Sequence, residues 1–349
     1  MLRVALSGCG AVSRLYYAPA LKLLEHEGLI SLTGVFDPDC ESAKALAAVG
    51  KAAVTYADFD ALIGDAPDLV IVASPPRFHA DQAVAALRAG VAVHCEKPLA
   101  LSGPEGRRIL EAAEASGRLL TVGLMRRAFP AVRAVGELLD RQTIGSLQSI
   151  EIFEGGPFSW PVRSPRYFTR EESGGGVLRD LGPHVLDLLV QWFGEPELVA
   201  YSDDADGGVE ANCLLELRWG DTPCSIRLSR DWERPHHHVF TGTQGGISWV
   251  PYEPCELRIR AGEEPERCVK VAAFEIPAIP GGPSGDFEHA FATALREAVE
   301  QQKAGTTDVT GRSTSLDVLE LIDRCYERRR PMDESWRAGD ASTEGRHAS

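Results

Sequence analysis

The chain has 349 residues, 44% of them hydrophobic and 25% charged, a composition typical of a globular protein large enough for two domains. Fifty-one acidic residues against 36 basic ones give a net charge of −15, which argues against binding to nucleic acid. No apolar run reaches the 18 residues that predict a membrane-crossing helix. The eight cysteines include no C-x-x-C pair, so we expect no zinc finger, no disulfide framework and a cytoplasmic location.

The first 122 residues alternate short apolar strands with helical patterns. The strands are predicted at 2–7, 32–36, 68–73, 91–95 and 119–122. Helices are predicted between them, among others at 13–25, 80–89 and 104–115. Strands that alternate with helices of this length predict an α/β domain with a parallel, doubly wound sheet.

The pattern changes after residue 123. One helix is predicted at 131–140, followed by strands at 147–153, 198–202, 211–217, 224–229 and 238–241. Gly and Asp clusters separate these strands, which favours an antiparallel sheet, and two helices at 286–301 and 313–328 close the segment. We expect domains at 1–122 and 123–331, and a flexible polar tail at 332–349.

A glycine loop joins the first predicted strand to the first helix. The motif is Gly8-x-Gly10-x-x-Ser13, in which the first glycine permits a tight turn and the second lets a pyrophosphate approach the backbone. The helix amino terminus adds oriented N–H groups, so we expect Ala11, Val12 and Ser13 to bind the same anion. Ser13 stands where a third glycine is usual, and it is small enough to preserve packing.

An acidic residue ends the second predicted strand. Asp37 lies 29 residues after Gly8, where a carboxylate accepts hydrogen bonds from the adenosine ribose and repels a 2′-phosphate. No arginine lies next to Asp37 in the sequence to bind that phosphate. The sequence therefore predicts NAD as the preferred cofactor over NADP.

Two further segments carry residues suited to chemistry. Glu96-Lys97-Pro98 follows the predicted strand at 91–95, and because ligands bind beyond the carboxyl ends of such strands, Lys97 should face a nicotinamide. The second segment runs from Gly174 to Asp187, with Pro183 suited to the first position of a helix. That start would put Asp180 just before the helix, His184 in its first turn and Asp187 one turn later. The simpler interpretations are a solvated lysine, a histidine at a helix end and a flexible glycine connector.

Four motifs together resemble the Gfo/Idh/MocA family of nicotinamide-dependent oxidoreductases, over roughly residues 1 to 330. They are the Gly8 loop, Ser74-Pro75-x-x-x-His79, Glu96-Lys97-Pro98 and Asp180-x-Gly182-x-His184-x-x-Asp187. The resemblance implies an N-terminal Rossmann domain and a C-terminal α+β domain with a large, open, mostly antiparallel sheet. It also implies a homodimer or homotetramer that covers this sheet.

The resemblance further implies a Lys97–Asp180–His184 active site acting on a secondary hydroxyl of a sugar or cyclitol. A histidine, whose ordinary pKa is about 6.5, suits the base that removes the hydroxyl proton. Asp180 could orient the imidazole or hold a neighbouring hydroxyl, and Lys97 could donate to the substrate oxygen. The sequence leaves open which of Lys97 and His184 takes the proton.

We therefore expect an NAD-dependent oxidoreductase of sugars, aminosugars or cyclitols. The acidic composition favours a cationic substrate such as an aminosugar. The alternatives are an NAD-dependent glycoside hydrolase of the same fold, which oxidises a sugar only transiently, and a non-catalytic dinucleotide sensor.

Other residues form a wider set of predicted contacts. Cofactor contacts are expected from Ser74, Pro75, His79, Glu96, Lys97 and Arg126. Substrate contacts are expected from Tyr16, Arg127, Trp160, Arg163 and Tyr167, besides Asp180 and His184, with Tyr17, Phe129, Arg166 and Phe168 nearby. The run His236-His237-His238 lacks a carboxylate or cysteine at a ligand spacing, so we expect no metal and place it on a strand surface or subunit contact.

Overall fold

The computed structural model describes residues 1–50, 53–161, 168–307 and 312–333, which fold around two β-sheets. None of the helices in these ranges combines the length and the apolarity that crossing a membrane requires.

The first sheet has six strands, all parallel. They are β1 (Leu2–Ser7), β2 (Ile30–Phe36), β3 (Val54–Thr55), β4 (Leu69–Val72), β5 (Ala92–Cys95) and β6 (Leu120–Val122), in the spatial order β3-β2-β1-β4-β5-β6. The accompanying helices are α1 (Ala18–His26), α2 (Cys40–Ala47), α3 (Phe59–Gly64), α4 (His79–Arg88) and α5 (Gly103–Ser116). The next helix along the chain, α6 (Pro130–Asp140), packs on the second sheet. The strand order reverses between β1 and β4, which is where open α/β sheets bind ligands. The predicted doubly wound parallel sheet is confirmed.

The second sheet has nine strands within the described ranges. They are β7 (Leu147–Gly155), β8 (Glu197–Asp203), β9 (Asn212–Trp219), β10 (Thr222–Ser229), β11 (His237–Gly242), β12 (Gly245–Trp249), β13 (Glu256–Ala261), β14 (Arg267–Lys270) and β15 (Arg330–Pro331). Their order is β14-β13-β12-β11-β7-β10-β9-β8-β15, and only the β7–β10 and β8–β15 pairs are parallel. The predicted large, mostly antiparallel sheet is confirmed, although β12 to β15 were not predicted.

Four more helices follow β7 along the chain. They are α7 (Arg170–Ser173), α8 (Val177–Phe193), α9 (Asp286–Lys303) and α10 (Arg312–Glu327). The last two, predicted to close the second domain, also pack on the first: α9 lies against α1, and α10 lies against both α5 and α8. The Asp323 carboxylate joins the two parts by accepting hydrogen bonds from the Gly103 N–H at 2.7 Å and from Arg179 Nη2 at 2.8 Å. The division into domains at residue 122 stays a prediction.

Helix α8 begins at Val177 and not at Pro183, so the predicted start is wrong. The Glu210 carboxylate, which is buried, accepts hydrogen bonds from the N–H groups of Gly176 at 2.9 Å and Leu178 at 3.0 Å. It thereby satisfies amide groups that a helix start leaves without partners, so the helix starts earlier and Pro183 lies inside it. A Cβ on Gly176 would lie 1.9 Å from the Glu210 carbonyl oxygen, so close packing accounts for this glycine.

Candidate active site

The glycine loop after β1 has the geometry that a dinucleotide requires. Gly8 has a φ of +94°, and a Cβ there would lie 2.4 Å from the backbone of Ala73 and Ser74. A Cβ at Gly10 would meet nothing within 4 Å, so this part of the loop is open to an approaching group. The buried Ser13 hydroxyl donates to the Gly8 carbonyl and fixes the turn.

The helix after the loop begins in an unusual form. Residues 11 and 12 are α-helical, Ser13–Tyr17 form a π-helical turn, and the helix then continues as α1. Pro19 lacks an N–H to donate into this turn, which favours the wider form. The N–H groups at Ala11 and Val12 belong to the first helical turn, where no carbonyl precedes them to accept.

Asp37 lies beside the glycine loop. One carboxylate oxygen accepts the Cys9 N–H at 2.7 Å and the other accepts the Asp39 N–H at 2.8 Å. The carboxylate predicted to select NAD is therefore held by backbone donors at the edge of the predicted cofactor site.

The Ser74–His79 motif supports two loops at the carboxyl edge of the first sheet. The buried His79 ring places Nε2 at 2.8 Å from the Ser74 carbonyl oxygen and Nδ1 at 2.8 Å from the Pro98 carbonyl oxygen. Burial lowers the pKa of His79 despite these two acceptors. The Ser74 hydroxyl donates to Gln82, and Pro75 precedes a short 3₁₀ turn at Pro76–Phe78. His79 thus links the loop after β4 to the loop that carries Lys97.

Lys97 meets Asp180 across the gap between the two sheets. Lys97 Nζ lies 3.0 Å from Asp180 Oδ1 and 3.2 Å from the Asp180 carbonyl oxygen. The two side chains remain 20% and 23% exposed, so the pair is accessible from solvent. The other carboxylate oxygen, Oδ2, accepts a hydrogen bond from Arg230 Nη2 at 3.1 Å. Burial alone would favour the neutral acid, but Lys97 and Arg230 hold the pKa of Asp180 well below its ordinary value.

His184 lies one helical turn after Asp180 on α8. Its Nδ1 atom is buried and has no hydrogen-bond partner among the residues that the structure describes. Burial and the positive charges of Lys97 and Arg126 hold the pKa of His184 well below its ordinary value, against the opposing effect of Glu154 and Asp180. The imidazole is therefore neutral near pH 7 and able to accept a proton.

A second buried cluster contributes to the electrostatic field at His184. Arg126 makes two hydrogen bonds to the Glu154 carboxylate, at 2.6 and 2.8 Å, and His238 Nε2 lies 2.6 Å from the same carboxylate. Arg126 and His238 outweigh the effect of burial and hold the pKa of Glu154 below its ordinary value. The structure thus gives Arg126, predicted to contact the cofactor, a bidentate carboxylate partner. The predicted surface position of His238 is wrong, because its side chain is buried and hydrogen-bonded to Glu154 on the adjacent strand.

The other two histidines of the run differ from His238. His236 packs against the rings of Phe153 and Tyr252, whereas His237 Nε2 lies 3.7 Å from Glu151 Oε1. No group of three or more metal-binding side chains able to hold an ion occurs in the described ranges.

Arg127 is paired with Asp187, the last residue of the Asp180–Asp187 motif on α8. Arg127 Nε and Nη2 donate to the two Asp187 oxygens at 2.7 and 2.6 Å, and Nη2 also donates to Thr314. The Asp187 carboxylate is 2% exposed. Arg127, predicted to bind substrate, is therefore committed to a bidentate ion pair that anchors the 3₁₀ turn after β6 to α8 and α10.

The predicted aromatic contacts Tyr16, Trp160 and Phe168 pack against other rings. Tyr16 stacks on Phe291 with 4.5 Å between ring centroids and on Trp160 with 6.2 Å, and Trp160 is partly exposed. Phe168 packs on Phe158, whose ring lies 5.0 Å from the Arg230 guanidinium carbon.

Three other predicted contacts are buried. Phe129 packs on Trp249 and Phe287 in the core, whereas Tyr17 and Glu96 are hydrogen-bonded to each other. Three further predictions, Arg163, Arg166 and Tyr167, lie outside the described residues.

Sequence reasoning missed Arg230, Glu154 and Glu210. Arg230 follows β10 directly, and a charged residue at a strand end was the available signal. Its partner Asp180 is 50 residues away, so no local pattern could pair them.

Two protein-family models match the chain. A family model described as "Oxidoreductase family, NAD-binding Rossmann fold" matches residues 2–124, and the GFO/IDH/MocA C-terminal domain matches residues 132–248. The chain belongs to the Gfo/Idh/MocA family of oxidoreductases. The resemblance carried by the four sequence motifs is confirmed.

Two curated proteins are similar to this chain over part of their own length. Oxidoreductase P35 of Formosa agariphila is 30% identical over 200 residues, which are 54% of this chain and 60% of that protein. The D-glucoside 3-dehydrogenase of Escherichia coli is 28% identical over 255 residues, 71% of this chain and 69% of the relative.

A solved structure shows the same fold over nearly the whole chain. KijD10, a 3-ketoreductase from Actinomadura kijaniata in complex with NADP and TDP-benzene, superposes with a TM-score of 0.81. The match covers 95% of this chain and 98% of KijD10, with 22% sequence identity.

Proposed function

We propose that this Gfo/Idh/MocA oxidoreductase transfers hydride between NAD and a secondary hydroxyl group of a sugar, aminosugar or cyclitol. The proposal rests on the meeting of Lys97, from the loop after β5, with Asp180 on α8 at 3.0 Å, one turn from His184. A neutral histidine can accept the proton of an alcohol, and a lysine held by a carboxylate can donate a hydrogen bond to its oxygen. The sugar substrate of the D-glucoside 3-dehydrogenase relative supports the substrate class.

The residues around the glycine loop fit a dinucleotide. The open face at Gly10 and the N–H groups of Ala11 and Val12 would hold the pyrophosphate, and Asp37 would accept hydrogen bonds from the adenosine ribose. When bound, the nicotinamide supplies the acceptor or donor of hydride. The similar KijD10 was solved with NADP, so the comparison gives no support for NAD. The preference for NAD therefore rests on the Asp37 charge, which repels a 2′-phosphate.

The proton of the substrate hydroxyl goes to His184 in the oxidative direction. Its imidazole is neutral near pH 7, so it can take the proton as hydride leaves the carbon that bears the hydroxyl. The Lys97 ammonium donates a hydrogen bond to the same oxygen and stabilises its growing negative charge. Asp180, held by Arg230, keeps the ammonium in place.

A panel of sugars, aminosugars and cyclitols, assayed with NAD and with NADP by the absorbance of reduced nicotinamide, tests the proposal. We expect turnover of secondary alcohols with a higher kcat/KM for NAD. Lys97→Ala should lower kcat by about 10²- to 10³-fold, the usual cost of removing a donor that stabilises a developing negative charge on oxygen. Release of an aglycone without net reduced cofactor would instead indicate a glycoside hydrolase. Wild-type activity in Lys97→Ala would contradict the proposed role of the lysine.

The variant Asp37→Ser isolates the cofactor preference in the same assay. Removing the carboxylate should lower the ratio of kcat/KM for NAD to that for NADP by about tenfold or more, since the repulsion and the ribose hydrogen bonds are lost together. Asp60→Ser removes the same charge from an exposed position on α3 and should leave the ratio unchanged. An unchanged ratio in Asp37→Ser would contradict the assignment.

A further inference from the structure

A chain of four buried polar side chains runs beneath the active site. The Tyr17 hydroxyl donates to Glu96 Oε1 at 2.6 Å and lies 3.0 Å from His94 Nε2. His94 Nδ1 in turn lies 2.7 Å from Thr121 Oγ1. The other Glu96 oxygen accepts the backbone N–H of Lys97 at 3.0 Å. All four side chains are buried, so each hydrogen bond is shielded from water.

The donors and acceptors of this chain fit one arrangement of protons. Because the Tyr17 hydroxyl gives its proton to Glu96, His94 Nε2 must donate to the tyrosine oxygen and Nδ1 must accept from Thr121. This arrangement needs a neutral His94, and burial lowers the pKa of His94 to about 4. It also needs an ionised Glu96, which accepts from two donors at once.

This set of hydrogen-bonded side chains joins the predicted cofactor site to the catalytic lysine. Tyr17 lies in the π-helical turn that follows the glycine loop, and Glu96 directly precedes Lys97 at the end of β5. The junction is tightly packed: a Cβ on Gly123 would lie 2.7 Å from Glu96 Oε1 and 3.2 Å from the Tyr17 oxygen. A carboxylate so enclosed has its two oxygens committed to the tyrosine and to the backbone of Lys97.

We propose that Glu96 is a positioning residue for Lys97, anchored by Tyr17, and that neither side chain binds a ligand. Glu96 fixes the Lys97 backbone to the first helix of the dinucleotide-binding domain, so that the lysine reaches Asp180 from a set position. The inference replaces the sequence-based prediction of a Glu96 contact to the cofactor. It rests on the proposed function, since it concerns the placement of that function's lysine.

Removal of the Tyr17 hydroxyl gives a pH signature. Burial raises the pKa of Glu96, while the Tyr17 hydrogen bond and the Lys97 charge oppose that rise. Without the hydroxyl, the pKa of Glu96 rises further and the neutral acid persists to higher pH. A neutral acid is a weaker acceptor than a carboxylate, so protonation weakens the remaining hydrogen bond from the Lys97 N–H and activity falls from the acid side.

The variant Tyr17→Phe, compared with wild type, tests the inference by kinetics and crystallography. We expect kcat to fall about tenfold near neutral pH and the acid limb of its pH profile to move up by about one unit, the effect of one hydrogen bond to a charged group. Activity should recover at higher pH. In crystals free of ligand, the distance from Lys97 Nζ to Asp180 Oδ1 should exceed the 3.0 Å of the wild type.

Two more variants complete the design. Tyr201→Phe removes a buried hydroxyl with no partner in the described part of the chain, and it should leave the acid limb in place. Glu96→Gln should abolish the Glu96-dependent limb, and adding Tyr17→Phe should then cost no further activity because both changes break the same link.

An unmoved acid limb in Tyr17→Phe, with an unmoved Lys97, would overturn the inference. Failure of the proposed function would look different. The wild type would then show no activity with any substrate tested, while Lys97 would still move in the Tyr17→Phe crystals.

Discussion

Asp180 is shared by two cations, Lys97 and Arg230, which approach different oxygens of its carboxylate. Ion pairs removed from water gain little net stability, because desolvation opposes the attraction between the charges. The arrangement instead fixes an ionised carboxylate and, through it, the direction of the lysine ammonium. His184, one turn away, remains neutral in the positive field of Lys97 and Arg126.

The lowered pKa of His184 predicts how oxidation depends on pH. The base acts in its neutral form, which persists as the pH falls until the pKa is reached. Because this pKa lies well below the ordinary value of about 6.5, kcat/KM for substrate oxidation should stay level through pH 6.5 and fall only at lower pH.

The pH profile of kcat/KM in wild type and in His184→Asn measures this. The variant should lose about 10²- to 10⁴-fold in rate together with the limb assigned to the histidine. A limb at or above pH 6.5 that survives in the variant would assign the proton to another group, with Lys97 the foremost alternative.

Helix α8 brings three site residues to one face. Asp180, His184 and Asp187 follow one another at the spacing of successive helical turns. Asp180 pairs with Lys97 and Asp187 with Arg127, while the charges of Lys97 and Arg126 lower the pKa of His184 between them. The helix start that makes this possible is set by Glu210, a residue more than twenty positions away in the chain.

Replacing Glu210 by Gln should therefore destabilise the fold. An amide can keep the oxygen that accepts from Leu178 and Tyr326, but its NH₂ group then faces the Gly176 N–H and cannot accept from it. We expect a loss of about 1–3 kcal/mol in the free energy of unfolding, the cost of a buried donor left unpaired.

Denaturant unfolding of Glu210→Gln beside Glu216→Gln measures the effect. Glu216 is exposed on β9, so the same chemical change there should alter the free energy of unfolding by less than about 0.5 kcal/mol. Equal stability of the two variants would mean that Glu210 does not set the helix start.

At the scale of the whole molecule, the sequence predicted what local periodicity and motifs determine. The alternation of strands and helices, the Gly8 loop and the position of Lys97 at a strand end all follow from short-range patterns. The pairings of Arg126 with Glu154 and of Arg230 with Asp180 do not, because they depend on how β7 and β10 align with each other and with α8. The two arginines after β6 were accordingly predicted as ligand contacts, although each has a bidentate carboxylate partner.

The short strands of the second sheet escaped prediction for a related reason. Strands β12 to β14 form a succession of hairpins beside β11, and the outermost of them, β14, is exposed along its whole length. A four-residue edge strand such as β14 lacks an apolar run, so pairing with its neighbour and not local sequence determines it. Strand β13, with the sequence ELRIRA, does alternate polar and apolar residues, and that signal was available.

A crystal structure of the protein with NAD tests most directly whether the two parts of the chain build one reaction centre. We expect the nicotinamide ring in the gap between β5 and α8, with Lys97 and His184 each within about 4 Å of the ring or of a substrate bound against it. A nicotinamide bound away from Lys97, or a His184 separated from it by intervening protein, would contradict the proposed active site.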